Sequence, residues 1–461
     1  MKELLLLSGL GILSLVAEIL NARKLIYPLV ILGLLMNIGL CIHDFGRSES
    51  IYGMMVLDNI ALAFTILFSF IAVLWFLMAK NFFKDNTNLS DHFSLVLFAI
   101  VGVFILTSYT HMVMLFLGVE ILSIPIYVLA GSDKRNIHSN EAAFKYFLLG
   151  AFASAFLLLG ITFVYGALGS FNIVQIASGA MSTYGLSLPL LIVGILLILF
   201  AMAFKMSAVP FHFWAPDVYT GAPTIVTAFM STIVKIGAVV GFYRLFSIVL
   251  TFYPQYVRLL LIIAVMSILI GNIIAASQSN IKRMLAYSGI GHVGFVVLGI
   301  TMLSASTPYV TWYYLAAYTL AGLAAFWVLI IIADKDNNVD ISAFNGLVKR
   351  NPLLAGTMTI ALLSMAGIPP LAGFFAKYFI LINVIDKGFM LIAIIAILAS
   401  LIGVYYYFRI IIAMFTHTTQ TDNVAKKIDI QFMSKLGLGI ISLLLLLLGI
   451  MPDYIFSFIF R

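Results

Sequence analysis

Charge is what this sequence lacks most. Of its 461 residues only 9% are Asp, Glu, Lys or Arg and 63% are hydrophobic, against about 25% and about 45–50% in soluble domains. No stretch of domain length has the polarity of a water-soluble fold, which excludes a soluble enzyme. Cysteine is almost missing too. Cys41 stands alone, so intrachain disulfides, Cys-ligated iron–sulfur clusters and cysteine zinc sites are excluded. The histidines at positions 43, 92, 111, 138, 212, 292 and 417 show no metal-ligand spacing. Alternation of polar and apolar residues, the mark of a membrane β-barrel, is also lacking. The formal net charge of +7 would suggest nucleic-acid binding only if the basic residues clustered, and they are scattered through short loops.

What is present is a succession of apolar segments long enough to cross about 30 Å of hydrocarbon, a task that takes about 20 residues. The sequence predicts an all-α integral membrane protein of about fourteen transmembrane helices. They fall near 3–20, 24–43, 56–79, 92–108, 111–130, 141–167, 187–208, 223–249, 256–276, 281–302, 308–333, 352–385, 389–416 and 435–457. The N-terminal segment has no small-x-small cleavage site and reads as the first span rather than a signal peptide. The whole chain, 1–461, is a single polytopic membrane domain.

Loop charges give the expected orientation. Odd-numbered loops carry Arg23 and Lys24, Lys80 and Lys84, Lys134 and Arg135, Lys282 and Arg283, Lys335 with Lys349 and Arg350, and Lys426 and Lys427; even-numbered loops carry only Arg47, Arg258 and Lys387. The positive-inside rule puts the odd loops in the cytoplasm and both termini on the other side.

A short internal repeat stands out. Lys205-Met206-Ser207-Ala208-Val209-Pro210 resembles Ser364-Met365-Ala366-Gly367-Ile368-Pro369, 159 residues later (205 to 364) and five spans on. An odd offset inverts the second copy, and broken helices at matching positions of an inverted repeat point to a transport site. Proline kinks in membrane helices are the alternative explanation.

Charges inside the spans carry the chemistry, because each costs about 2.5–3.5 kcal/mol on insertion scales. Glu120 lies in the middle of MLFLGVEILSIPIYVLAG, Lys205 ends a seventeen-residue apolar run, Lys235 is near the centre of the eighth span and Lys377 is in the second half of the twelfth. Glu141 and Lys145, four residues apart, are either a simple intrahelical pair or part of the same system. Lys205 could snorkel to a surface, and His292 reads as an interior histidine with a relay role as the alternative. A buried lysine loses its proton more readily through desolvation, and a nearby carboxylate restores it. Lysines in series, linked by water and histidine, therefore suit proton transfer along the membrane. Gly289-Ile290-Gly291-His292-Val293-Gly294 matches a dinucleotide fingerprint, but it follows no strand. Close helix contact is the better reading of its small residues.

PFHFWAPDVYTGAPT (210–224), SNIKRMLAYSGIGHVGF (279–295) and GIPPLAGFFAKYFI (367–380) closely resemble subunit N of bacterial NADH–quinone oxidoreductase, respiratory complex I. The likeness extends over essentially the whole chain. It implies two inverted five-helix repeats, spans 4–8 (92–249) and 9–13 (256–416), each with a broken helix, after an N-terminal three-helix segment (1–91) and before a last helix (435–457). It further implies a Glu120–Lys205 pair, with Lys235 and Lys377 carrying protons, Lys145 matching the family's lysine on span 6, and His292 a possible relay. The resemblance places NADH, FMN, iron–sulfur clusters and the main quinone site in other subunits, leaving this chain without a cofactor. Its implied partners are the other membrane-arm subunits of complex I, the lipid bilayer and protons, and its implied location is the bacterial inner (plasma) membrane, with both termini periplasmic. A membrane subunit of a multi-subunit cation/proton antiporter is the other reading. His212 and Asp217 are expected to be structural.

Overall fold

The computed structural model describes residues 1–20, 22–82, 89–176, 179, 187–336, 339–416 and 427–452, without the side chains of 81, 82 and 334–336. Lys84, Lys426, His417 and the end of the expected last span lie outside the described residues, as does the side chain of Lys335. Apart from one small hairpin, β1 (Glu49–Ile51) with β2 (Met55–Leu57), the elements are helical. They run α1 (Lys2–Ile19), α2 (Arg23–His43), α3 (Asn59–Phe82), α4 (Leu89–Ser108), α5 (Met112–Ala130) and α6 (Ile137–Leu168). Then come α7 (Ser187–Met206), the short α8 (Trp214–Gly221), α9 (Thr224–Phe252), α10 (Gln255–Ala276), α11 (Ile281–Thr301) and α12 (Thr307–Asp336). The last are α13 (Pro352–Ala366), α14 (Ala372–Asp386), α15 (Met390–Thr416) and α16 (Phe432–Ile450).

Twelve of these helices are long and apolar enough to cross a membrane. The remaining long ones are α1, which carries Lys2, Glu3 and Glu18, and the 15-residue α13 and α14. The hairpin between α2 and α3 was not foreseen from the sequence. Its two strands are three residues each, too short to rise above the apolar segments around them.

The helices sort by what they face. The α9 span is 100% buried, and α11 and α12 nearly so, so these three form the centre. By contrast α2, α6, α15 and α16 turn large apolar side chains outward, among them Leu32, Phe152, Leu398 and Leu443. Hydrophobicity cannot drive such helices together in lipid, where close backbone approach does. Glycines provide it. A Cβ on Gly160 would meet the Gly194 carbonyl at 2.8 Å, joining α6 to α7, and one on Gly294 would meet the Ala264 carbonyl at 2.7 Å, joining α10 to α11. One on Gly102 would meet the Leu122 amide at 2.4 Å, closing α4 on α5.

Two interruptions position the site. The first separates α7 from α8 and carries Ser207 at φ +64. The second separates α13 from α14, with Gly367 at φ +86, a conformation glycine adopts without steric cost. Backbone groups released by a break must find partners inside the protein. At the first, the Trp214 indole N–H donates to the Phe204 carbonyl (3.0 Å) and the Val209 amide donates to Ser267 Oγ (2.9 Å). At the second, the Gly373 amide donates to Ser364 Oγ (3.1 Å) and the Lys377 ammonium to the Ala366 carbonyl (2.9 Å). Within α9 a five-residue π-helical stretch, Met230–Val234, ends where Lys235 begins.

Candidate functional site

Lys205 sits on the last turn of α7, buried. Its ammonium donates to Ser123 Oγ (2.7 Å) and to the Tyr127 hydroxyl (3.0 Å), both on α5. The expected pairing with Glu120 is not formed. Ser123 and Tyr127 follow Glu120 by three and seven residues, about 4.5 and 10.5 Å along the helix at 1.5 Å per residue. Helical side chains also lean toward the N-terminus, so Glu120 reaches away from the level at which Lys205 is held. Glu120 Oε1 is buried without a hydrogen-bond partner, as are Ser207 Oγ and His212 Nδ1 in the break itself. The break also closes on itself through aromatic rings. Tyr127 meets Tyr146 edge-on at 4.8 Å, Tyr146 stacks on Trp214 at 4.4 Å, and Trp214 holds the carbonyl of Phe204, the neighbour of Lys205.

Lys235 occupies the buried centre on α9. Its ammonium donates to the Gly289 carbonyl of α11 (3.0 Å) and lies 5.6 Å from the Tyr318 ring centroid. Lys205 and Lys235 share no hydrogen-bond partner. Next along α11, His292 is buried between two tyrosines, with Nδ1 2.8 Å from the Tyr314 hydroxyl and Nε2 3.3 Å from the Tyr407 hydroxyl. Both nitrogens are therefore engaged, as an interior histidine requires, and both partners can pass on a proton. Lys377 on α14 faces the same histidine across two small cavities of about 10 Å³ each. Each is lined by a mixture of polar and apolar side chains and is at the lower limit of the space one water molecule needs. Beyond, the Tyr406 hydroxyl donates to Asn272 Oδ1 (3.1 Å).

Lys145 belongs elsewhere. It bridges Glu141 (2.7 Å) and Asp217 (3.0 Å) and is 40% exposed, while Arg283 reaches Asp217 at 3.4 Å. These residues line an open cleft of about 700 Å³ at one end of the bundle, where α6, α8 and α11 meet. Glu141 and Lys145 thus form the intrahelical pair that their spacing allowed, and Asp217 ties α8 to α6 and α11. Lys282, counted from the sequence as a loop charge, is buried in the wall of this cleft and donates to the Ala222 carbonyl (2.6 Å).

The sequence reading passed over Ser123, Tyr127, Tyr314, Tyr318, Tyr407 and Lys282. Hydroxyls are common in membrane helices, and only the spacing of Tyr314 and Tyr318, four residues apart on one face, could have marked any of them. It also missed Arg244, which pairs with Asp58 at 2.6 Å and joins α9 to the start of α3. Among the described residues no three His, Cys, Asp or Glu side chains converge as a metal site.

Residues 109–403 match the family model described as NADH:quinone oxidoreductase/Mrp antiporter, TM. NADH-quinone oxidoreductase subunit N of Cytophaga hutchinsonii is 42% identical over 457 residues, covering 98% of both chains. The chain belongs to the subunit N family of NADH–quinone oxidoreductase. A chain of respiratory complex I from Thermus thermophilus superimposes on it with a TM-score of 0.83 at 29% identity, covering 99% of this chain and 98% of that one. A chain of the Mrp complex from Dietzia shares the fold as well, with a TM-score of 0.87 at 20% identity, covering 100% and 96%.

Proposed function

We propose that this chain is an antiporter-like, proton-translocating subunit of the membrane arm of an NADH:quinone oxidoreductase, an enzyme whose redox centres reside in other subunits. The observation that carries the reading is the set of two buried lysines, Lys205 and Lys235, and the half-buried Lys377, each with its ammonium held by named partners inside the bundle. Glu120, whose Oε1 is buried without a hydrogen-bond partner, is the acid that modulates Lys205, through a water or a rotamer change rather than a standing ion pair. His292, with Tyr314 and Tyr407, connects Lys235 to Lys377, and the two one-water cavities complete that connection. Lys145 serves at the mouth of the open cleft, as a surface relay.

We further infer fourteen crossings: the twelve long helices, α1, and α13 with α14 as a single broken crossing. Spans 92–249 and 256–416 are then inverted repeats, with 1–91 and 435–457 outside them. The basic odd loops face the cytoplasm and both termini the periplasm of a bacterial inner membrane. NADH, FMN, iron–sulfur clusters and quinone are used by the assembled complex, and neighbouring membrane-arm subunits are the partners. Full-length identity to subunit N favours this reading over a free-standing cation/proton antiporter, a fold-level alternative.

The test is proton uptake and quinone reduction in membrane vesicles carrying the complex with Lys205→Ala or Lys235→Ala. Loss of uptake in a fully assembled complex is expected. Wild-type pumping with normal assembly would sink the proton path, and purification without NADH-oxidising subunits would favour the antiporter.

A further inference from the structure

Glycine is an unfavourable choice inside a helix, so each one there needs a reason. For several glycines of this bundle the reason is backbone approach. A Cβ on Gly160, Gly194, Gly271 or Gly294 would strike the main chain of a neighbouring helix at under 3.0 Å. Three other glycines lie against the lysine sites themselves. The three nearest neighbours of a Cβ on Gly289 are Lys235 Nζ at 2.8 Å, the Tyr318 hydroxyl at 2.9 Å and Lys235 Cε at 3.9 Å. A Cβ on Gly367 would meet Lys377 Cδ at 3.0 Å and its Nζ at 3.3 Å. A Cβ on Gly150 would meet the Tyr127 hydroxyl at 2.0 Å, and that hydroxyl accepts a hydrogen bond from Lys205. None of the three has a backbone atom among its nearest contacts.

We propose that Gly150, Gly289 and Gly367 are positioning residues that act as seats for the lysine ammonium groups, leaving open the volume that Lys235 and Lys377, and the Tyr127 hydroxyl holding Lys205, occupy. The inference rests on the proton-path reading above and adds to it how each lysine is held in place. Gly289 does so twice, because its carbonyl accepts from the Lys235 ammonium while its missing side chain leaves room for that ammonium to arrive. An ammonium in an apolar bundle has few alternatives to such a carbonyl. Displaced by a methyl group, it has to find another acceptor, and its distance to the His292 system changes. Gly367 has a second reason to be glycine, its left-handed φ of +86, so Gly289 and Gly150 are the informative positions.

The decisive experiment compares Gly289→Ala, Gly322→Ala and Lys235→Ala in the whole complex, measuring assembly and protons taken up per NADH oxidised. Gly322 lies on α12, where a Cβ would only touch Thr232 at 3.8 Å, so its variant should pump as wild type. Gly289→Ala should assemble, since only two side-chain ends obstruct the methyl group. Its proton uptake should fall at least about tenfold, since misplacing a transfer group by about 1 Å can cost about a hundredfold. Adding Tyr318→Phe removes one obstruction and should restore part of the uptake. Pumping by Gly289→Ala equal to that of Gly322→Ala, with Lys235→Ala defective, would overturn the seat. A Gly289→Ala complex that does not assemble even with Tyr318→Phe would make Gly289 a packing residue and overturn it equally. Normal pumping by Lys235→Ala would instead show that the proton-path reading itself has failed.

Discussion

The two breaks meet the same physical demand in different ways. Each interrupts a helix and releases a carbonyl that water cannot reach. At the first, a neutral indole, Trp214, serves the Phe204 carbonyl, and Lys205 is left to side-chain hydroxyls. At the second, the ammonium of Lys377 itself serves the Ala366 carbonyl. Their arms differ as well, 20 and 8 residues around the first break against 15 and 15 around the second. The lesson is that a broken helix can keep its charge separate from its backbone or use the charge to hold the backbone. In the first case the lysine's own hydrogen bonds go to side chains and not to the released carbonyl. In the second, proton transfer and backbone support are the same contact.

The comparison is broken most directly at the lysines. Lys377→Ala should lose both proton uptake and stability, because an orphaned buried carbonyl costs about 1–3 kcal/mol. Lys205→Ala should lose uptake with stability nearly intact. Thermal aggregation of the detergent-purified complex, measured beside proton uptake, separates the two, and equal stability of both variants would refute the division of roles. Trp214→Phe is the reciprocal change. It removes one of two donors to the Phe204 carbonyl, the Ser207 amide (3.0 Å) remaining, and a loss of about 1 kcal/mol should appear as a lower aggregation temperature, this time at the first break with Lys205 still present. A similar effect is expected from Ser123→Ala or Tyr127→Phe, each removing one acceptor from the Lys205 ammonium at about 1 kcal/mol. The double variant should lose more than either, and a loss no larger than one single would mean that Lys205 is held by something else. The smallest change is Asp217→Asn, which releases Lys145 and Arg283 at the cleft. The pairs are partly exposed, so stability should move by less than about 1 kcal/mol, and a larger drop would make the short α8 dependent on its ion pairs.

Much of this architecture was legible in the apolar runs, since length and composition alone identify a crossing. The expected boundaries fall within about four residues of the helices except at the last, where α16 ends at Ile450 against an expected 457. Proline at 210 and 369 marked both breaks, and the scarcity of charge made Lys205, Lys235 and Lys377 conspicuous. Partners were not legible. Glu120 and Lys205 were expected to pair because the resemblance to subunit N implied it. Their levels on α5 and α7 depend on how the helices slide along one another, which is set by contacts such as Gly160 against Gly194. Lys282 looked like a loop charge because it begins a helix, and only the fold puts Ala222 beside it. The glycines of SGIGHVG were correctly read as small residues for close contact, and Gly291 and Gly294 serve helix approach. Gly289 is the exception that no one-dimensional pattern could distinguish.

Lys205, Tyr127, Tyr146, Trp214 and Phe204 form a closed circuit, since Phe204 is covalently joined to Lys205. In mechanical terms this is a linkage with stiff members, two of them stacked aromatic planes inclined by only 9°. A linkage of that kind has few internal freedoms. The lysine can turn toward Glu120 by sliding past Tyr127, or α8 can shift and carry Trp214 and the Phe204 carbonyl with it. A displacement of the short α8, which borders the open cleft, is thereby converted into a change of reach for a charge deep in the bundle.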